Sequence, residues 1–368
     1  MPRPIPPGWL RAFLRYALWL VPAWALATFV AARLVILPGN PDVPLASQLM
    51  RSAVVGVWAG LLGALAESWV LPRFARRFPF GLALAVRTLV YAGVVALAFL
   101  GAVFFIVRHE LGLQAREVFG SEEFASFVGS TEFAWFFGLL VGASFFITLG
   151  FQVNRVLGPG TLGALLLGRY LRPVREERVF LFLDLTDSTP IAEKLGPLRF
   201  SDFKNDFFHD VAGPVLATRG QIVQYVGDEV VVSWPLRRGT RNADCLRLFY
   251  LVEDAVEARR GWYEARYGVV PRFKAACHGG PVVTAEIGDL KRDIVHSGDT
   301  LNTTARMEGL CRRLGCRLLA SGRLLDRITL PADLRAEEVG EVPLRGKAEA
   351  VRLFGVRRTP DPKAAVAS

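Results

Sequence analysis

Four apolar runs of about twenty residues crowd the first 157 positions of this 368-residue chain, and that is the length an α-helix needs to cross a bilayer. They cover residues 16–35, 51–71, 82–107 and 133–156. Hydrocarbon offers backbone amides no partner, so such segments fold as helices whose hydrogen bonds close internally. The first run follows Arg11 and Arg15, as a secretion signal would. Its core is too long for a signal and three further runs follow, so an uncleaved anchor is expected.

Residues 1–157 hold 12 Arg, no Lys and 7 acidic residues, and the remaining 211 hold 32 basic and 27 acidic residues. The second part therefore has the composition of a water-soluble domain of ordinary size. The net charge of +10 divides equally between the two parts, which argues against a nucleic-acid partner. In the first part the charge follows topology. Arg3, Arg11 and Arg15 precede the first run, Arg73, Arg76 and Arg77 fill the second loop, and Arg155, Arg169, Arg172, Arg175 and Arg178 follow the fourth. Residues 38–50 contain no Lys or Arg, and the third loop carries Glu110, Glu117, Glu122 and Glu123 against Arg108 and Arg116. The expectation is a multi-pass protein of the cell inner membrane, set in a lipid bilayer with both termini cytoplasmic.

Glu67 and Arg87 fall inside the second and third runs at similar depth. They suit either a sensing site or a structural ion pair, and the ion pair is the expectation; no ligand is identified. The four cysteines, Cys245, Cys277, Cys311 and Cys316, form no C-x-x-C pair, and reduced thiols are expected.

Residues 158–177 read as a juxtamembrane connector with a short apolar helix ended near Pro173. Gly158, Gly160 and Gly163 match G-x-G-x-x-G, but no strand precedes them, so a dinucleotide fingerprint is not expected. Residues 178–357 form the soluble domain, and residues 358–368 a tail. The pattern predicts a strand over 179–184 and a helix over 189–219 interrupted at Gly196-Pro197. A hairpin over 220–234 turns at Gly227-Asp228, and a long helix covers 241–267. A second hairpin over 272–287 turns around Gly279-Gly280, and a helix over 299–314 is capped by Asp299. This β-α-β-β-α-β order predicts an α+β domain, a ferredoxin-like palm in which an antiparallel sheet is backed by helices on one face.

Three motifs carry the chemistry. Phe182-Leu-Asp184-Leu-Thr-Asp187-Ser-Thr189 ends an apolar strand on an aspartate and a turn. Gln224-Tyr-Val-Gly227-Asp228-Glu229 places a second aspartate at a hairpin turn. Asn302-Thr-Thr-Ala-Arg306 puts an amide and a guanidinium on one helix face. Two carboxylates on neighbouring strand ends can hold hard divalent cations, which carry nucleotide phosphates. An Arg fork can neutralise charge developing on a phosphoryl group. Singly, each motif also reads as a helix cap, a hairpin turn or an exposed helix charge. Together, in this order, they resemble the catalytic domain of class III adenylate/guanylate cyclases of the bacterial membrane-anchored type, over roughly residues 176 to 356. The Gly-Gly-Asp-Glu signature of diguanylate cyclases is absent, since Val226 precedes Gly227.

That resemblance implies the following roles. Asp184 and Asp228, with the Leu185 carbonyl, would bind two Mg²⁺ or Mn²⁺ ions. Backbone amides of Thr186, Asp187, Ser188 and Thr189 would cradle phosphates. Asn302 would orient the ribose, and Arg306 would stabilise charge on the α-phosphate. Arg345 stands where the family has a phosphate-binding Lys, with Lys347 nearby. Gln224 and Val295 occupy the purine-reading positions but match neither the adenylate nor the guanylate pattern; Gln can donate and accept at once. The substrate implied is ATP, with GTP as the alternative, and the active form a homodimer. A catalytically silent cyclase-like membrane receptor is the rival, disfavoured by the retained Asp184, Asp228, Asn302 and Arg306.

Overall fold

The computed structural model describes residues 9–35, 44–70, 78–112, 114–158, 161–343 and 350–359. The chain separates into two compact units, Met1–Leu157 and Gly158–Ser368.

Unit one is built on α1 (Trp9–Val35), α2 (Leu45–Leu65, prolonged by a π-helical turn over Ala66–Val70), α3 (Phe80–Leu111) and α4 (Thr131–Leu157). Each holds a segment long and apolar enough to cross a membrane: Tyr16–Val35, Leu45–Trp69, Phe80–Gly101 and Thr131–Asn154. The second segment starts at Leu45, earlier than the expected residue 51. Helices α1 and α2 meet where side chains are missing. A Cβ on Gly56 would lie 2.5 Å from the Ala25 backbone, and one on Gly60 2.5 Å from that of Val21. Two glycines four apart give the small face that lets helices in lipid approach closely enough for dispersion to hold them. Thr28 Oγ1 reinforces the contact, 2.8 Å from the Trp24 carbonyl and 3.2 Å from that of Ser52 across the pair. Trp24 stacks on Tyr91, whose hydroxyl donates to the Gly63 carbonyl. Glu67 and Arg87 approach to 3.3 Å with each side chain 1% exposed, so the ion pair is formed.

Unit two follows as β1 (Val174–Leu185), α5 (Ser188–Leu195), α6 (Pro197–Ala217), β2 (Gln221–Val226), β3 (Glu229–Pro235), α7 (Asp244–Glu257), α8 (Arg260–Tyr267), β4 (Phe273–Ile287), β5 (Asp293–Ser297), α9 (Asp299–Leu310), β6 (Leu318–Ser321), β7 (Leu334–Val342) and β8 (Val351–Arg358). The sheet order is β2-β3-β1-β4-β6-β8-β7, with β5 paired to β4. Its β2-β3-β1-β4 part is antiparallel and forms the expected palm. The extension joins through a parallel pairing of β4 with β6, so the whole sheet is mixed. Alternation along β1 explains the layers. Val179, Leu181 and Leu183 enter the main core with Phe203, Phe207, Val211 and Val215, a stripe of one residue per turn of α6. Phe180 and Phe182 point the other way, to a second cluster with Val231 and Val282 against which Leu301 of α9 packs. The sheet thus carries helix on both faces rather than one.

Three further expectations are corrected. In place of the hairpin expected over 272–287, residues 273–287 form one continuous strand, and the turn comes after Ile287. Gly279 and Gly280 serve close approach instead: a Cβ would meet Leu324 at 3.1 Å and Thr300 Oγ1 at 2.7 Å. The helix expected over 241–267 breaks between Glu257 and Arg260, where the ring-stacked Arg259 leaves helical geometry (φ −112°, ψ 10°). Gly298, at φ 146°, precedes α9, so Asp299 is its first residue and not its cap. The four cysteines are free thiols, three of them buried.

Gly60→Leu is expected to wedge α1 off α2 at an overpacking cost of about 1–3 kcal/mol or more. The thermal unfolding midpoint of the detergent-solubilised chain should fall by several degrees. Gly93→Leu, at a position that meets nothing within 4 Å, should leave the midpoint in place. Equal midpoints for the two variants would remove the close-approach account.

Candidate functional site

Strand β1 delivers Asp184 at its end, directly across from Glu229 of β3 on one side and Lys274 of β4 on the other. The β2–β3 turn supplies Asp228, with Gly227 at φ 63°, a left-handed conformation that glycine adopts without penalty. Lys204 of α6 donates to the Gly227 carbonyl at 3.2 Å and holds this turn against the helix. Phe208 and Tyr225 pack their rings beside it, with centroids 4.6 Å apart.

Two of the carboxyls gathered here, Asp184 and Glu229, are raised. Burial first, then Asp228 and Glu308, push the Asp184 carboxyl up to about 6. Burial first, then Glu308, Asp184 and Asp228, push Glu229 up to about 7. Lys274 is the cation set among them, 3.2 Å from Asp184 and 2.5 Å from Glu308. Among the described residues no group of three or more His, Cys, Asp or Glu side chains converges in a form that would hold a metal by itself. The donor set of Asp184, Asp228 and the Leu185 carbonyl is nonetheless all hard oxygen and leaves most positions to water and phosphate. That suits Mg²⁺ or Mn²⁺, since Mg²⁺ is usually bound through one or two carboxylates plus substrate oxygens.

After Leu185 the chain turns into α5 through Asp187, which sits in the left-handed region at φ 58° and makes no side-chain cap. A non-glycine residue held there is strained, and such strain concentrates at ligand-binding turns. The Thr186 amide donates to the Arg272 carbonyl at 2.8 Å, so it belongs to the sheet and is not available to an anion. Asp187, Ser188 and Thr189 remain at the start of the helix, where backbone dipoles favour negative charge.

Asn302 and Arg306 lie four residues apart on α9. Neither side chain makes a hydrogen bond or ion pair among the described residues, while Thr303 and Thr304 between them and Met307 after them are buried. Gln224 is exposed on β2 beside a β-bulge, and Val295 is 37% exposed on β5; β3, β1 and β4 lie between their strands in the sheet. His296, next to Val295, is held by Thr284 Oγ1 at 2.8 Å and by the Phe180 ring. Burial, then Arg178, lowers it to about 4, so it is a neutral structural imidazole. Arg345 and Lys347 lie outside the described residues. Reading by motif missed Glu229, Lys274 and Glu308. Glu229 follows Asp228 directly and Glu308 comes two residues after Arg306, but Lys274 reaches the site only through strand register.

No protein-family model matches the chain. Curated relatives are adenylate cyclase 2 of Rhizobium meliloti, 43% identical over 205 residues (56% of this chain and 56% of the relative), and the adenylate cyclase of Anabaena cylindrica, 26% identical over 185 residues (48% and 36%). Guanylate cyclase D of Mus musculus is 25% identical over 201 residues (54% and 17%). This chain therefore spans about half or less of the length of the relatives it matches. A solved bacterial light-regulated adenylyl cyclase superposes with TM-score 0.50 at 18% identity, over 61% of this chain and 68% of that one, a likeness of fold.

The elevated carboxyls fix a pH signature. Their folded values lie above the ordinary ones, so the stability they contribute is complete at low pH and is lost as pH rises through about 6 and 7. With EDTA present, Glu229→Gln should raise the unfolding midpoint at pH 8 and change it little at pH 5. A midpoint gain of the same size at both pH values would show that ionisation of the half-buried Glu229 carboxyl is not the cause.

Proposed function

We propose that this chain, whose soluble unit has the class III nucleotidyl cyclase fold and is related to the adenylate and guanylate cyclases, is a membrane-anchored enzyme that converts ATP to 3′,5′-cyclic AMP and pyrophosphate at the interface of a homodimer. One observation carries the reading: Asp184 ends β1 and Asp228 sits in the turn that enters the neighbouring β3, while α9 presents Asn302 and Arg306 with no partner among the described residues.

Cations held by Asp184, Asp228 and the Leu185 carbonyl would lower the pKa of the ribose 3′-hydroxyl and neutralise the triphosphate. The start of α5, at Asp187, Ser188 and Thr189, receives phosphate oxygens on its amides. Asn302 orients the ribose so that the 3′-oxygen faces the α-phosphorus; the 3′-O–P bond forms as the bond to the pyrophosphate oxygen breaks, and the hydroxyl proton leaves to water. Arg306 acts on the charge that grows on the α-phosphate during this exchange, so its contribution is made in the transition state more than in the ground state. Arg345 and Lys347 serve the triphosphate. Gln224 reads the purine edge with Val295 shaping its slot. ATP is favoured by the Rhizobium relative's name, and GTP is the second reading because neither position carries an adenine-specific charge.

The dimer is supported by apolar side chains that stay exposed among the described residues: Tyr225, Val226, Val283, Ile287, Leu290 and Val295, on the β2 and β4–β5 hairpins. A two-fold pairing would set the metal aspartates of one subunit against α9 of the other, giving two equivalent sites. Purified full-length protein with Mn²⁺ should form cyclic AMP from ATP faster than cyclic GMP from GTP. Asp184→Ala and Arg306→Ala should each abolish or nearly abolish turnover, the latter with little change in KM. Co-expressed, they should recover up to about a quarter of wild-type activity, as expected for random pairing with independent sites. Absence of recovery in demonstrated mixed dimers would place the whole site in one chain.

The four helices are assigned to the inner membrane with both termini cytoplasmic, on the Arg distribution of the loops. Cysteine labelling in intact cells should reach residues 38–50 from outside and residues 73–80 only after permeabilisation. Labelling of both from one side would overturn the assignment.

A further inference from the structure

Under the composite-site reading, each chain gives its metal aspartates to one site and its α9 to the other. Within a single chain these two contributions are physically joined. Register places Lys274 directly opposite Asp184 across the β1–β4 pairing. Its Nζ lies 3.2 Å from Asp184 Oδ2 and 2.5 Å from Glu308 Oε1, and all three side chains are largely shielded (22%, 22% and 12% exposed). Among the described residues no other cation pairs with either carboxylate. Glu308 comes two residues after Arg306, about 200° around the helix at ~100° per residue. The ammonium therefore grips the sheet side of α9, while Asn302 and Arg306 occupy another face. Met307 between them is buried on Ala276, Leu319 and Leu353, so the helix is seated on the sheet at this point and has little slack.

The geometry points to Lys274 as a positioning residue that couples the two active sites of the dimer. With Asp184 ionised and no cation on it, Lys274 is shared between Asp184 and Glu308. A divalent cation on Asp184 neutralises that carboxylate and repels the ammonium beside it, which weakens the Lys274–Asp184 contact relative to the one with Glu308. Lys274 then leans to Glu308, which steadies α9, and with it the Asn302 and Arg306 that serve the opposite site. Loading one site thus prepares the other. The coupling is a differential interaction with two arrangements of one side chain, as allostery requires.

The inference rests on the homodimer reading and is separable from it. Binding of 3′-deoxy-ATP, which cannot cyclise and enters one per site, is followed by equilibrium dialysis of the full chain with Mn²⁺ at a fixed saturating concentration. Wild type should load with a Hill coefficient above 1, the second site filling about 5- to 150-fold more tightly than the first, the usual range of such couplings. Lys274→Met should bind the same number of nucleotides with a Hill coefficient of 1, and its kcat should fall about tenfold or more with a smaller change in KM. Lys274→Arg should restore much of both. Glu308→Gln should reproduce Lys274→Met, and the double variant should be no worse than either, since both remove one interaction. Should Lys274→Met fail to fold, Glu308→Gln makes the same measurement. Non-cooperative loading in the wild type, or cooperativity that survives Lys274→Met or Glu308→Gln, would overturn the coupling. If cooperativity fails while mixed Asp184→Ala and Arg306→Ala dimers still recover activity, the composite site stands and the coupling alone is lost. If those mixed dimers fail to recover, the composite reading falls, and the coupling with it.

Discussion

Strand β1 is hydrogen-bonded along both edges and covered on both faces, and the soluble unit takes its geometry from that one segment. Its neighbours β3 and β4 run antiparallel to it, so the residues opposite its last aspartate are set by register and not by choice of side chain. Glu229 and Lys274 stand there because the pairing admits no others. A slip of one residue would turn the core face of β1 outward, exchanging Leu181 and Leu183 for Phe180 and Phe182. Packing on two faces forbids that slip, so the strand can end in charged groups that repel one another and still keep its place. The hydrophobic core holds together a cluster of carboxylates that would otherwise separate.

Much of this was legible from the residues alone. The apolar runs announced four helices, the strand–turn motifs located Asp184 and Asp228, and Gly196-Pro197 marked the break between α5 and α6. What could not be read were effects of tertiary contact. Gly279-Gly280 looks like a turn, yet Leu324 and Thr300 crowd so closely that only a bare backbone fits, and the strand runs straight through. Arg259 is a good helix former by propensity, but its guanidinium stacks 3.9 Å over Trp262 and pairs with Asp210, and the helix breaks there. The second helical layer was equally hidden, because α9 carries apolar and polar residues in a pattern that does not say which side of a sheet it will cover. Lys274 lies 90 positions from Asp184 in the chain and next to it in space.

The apparent contradiction in the site, four acidic side chains around one lysine, is resolved by what the site is proposed to receive. A nucleotide triphosphate arrives with its own negative charge and requires cations to settle beside carboxylates. Carboxyls held above their ordinary range are reluctant to ionise alone, and they ionise readily once a divalent cation shares the charge. The left-handed Asp187 and the amides that follow it complete the electrostatics from the other side, with dipoles that cost nothing to reorganise.

The Glu67–Arg87 pair has a consequence for how the protein is made. A lone carboxylate or guanidinium inside an apolar span disfavours insertion of that span by itself. Here each charge has its counter-ion on the adjoining helix, at 3.3 Å and sealed from solvent. The second and third helices are therefore poor candidates to leave the translocon one at a time. They suit release as a hairpin, already neutralised, so that the order of biogenesis is written into two residues twenty positions apart.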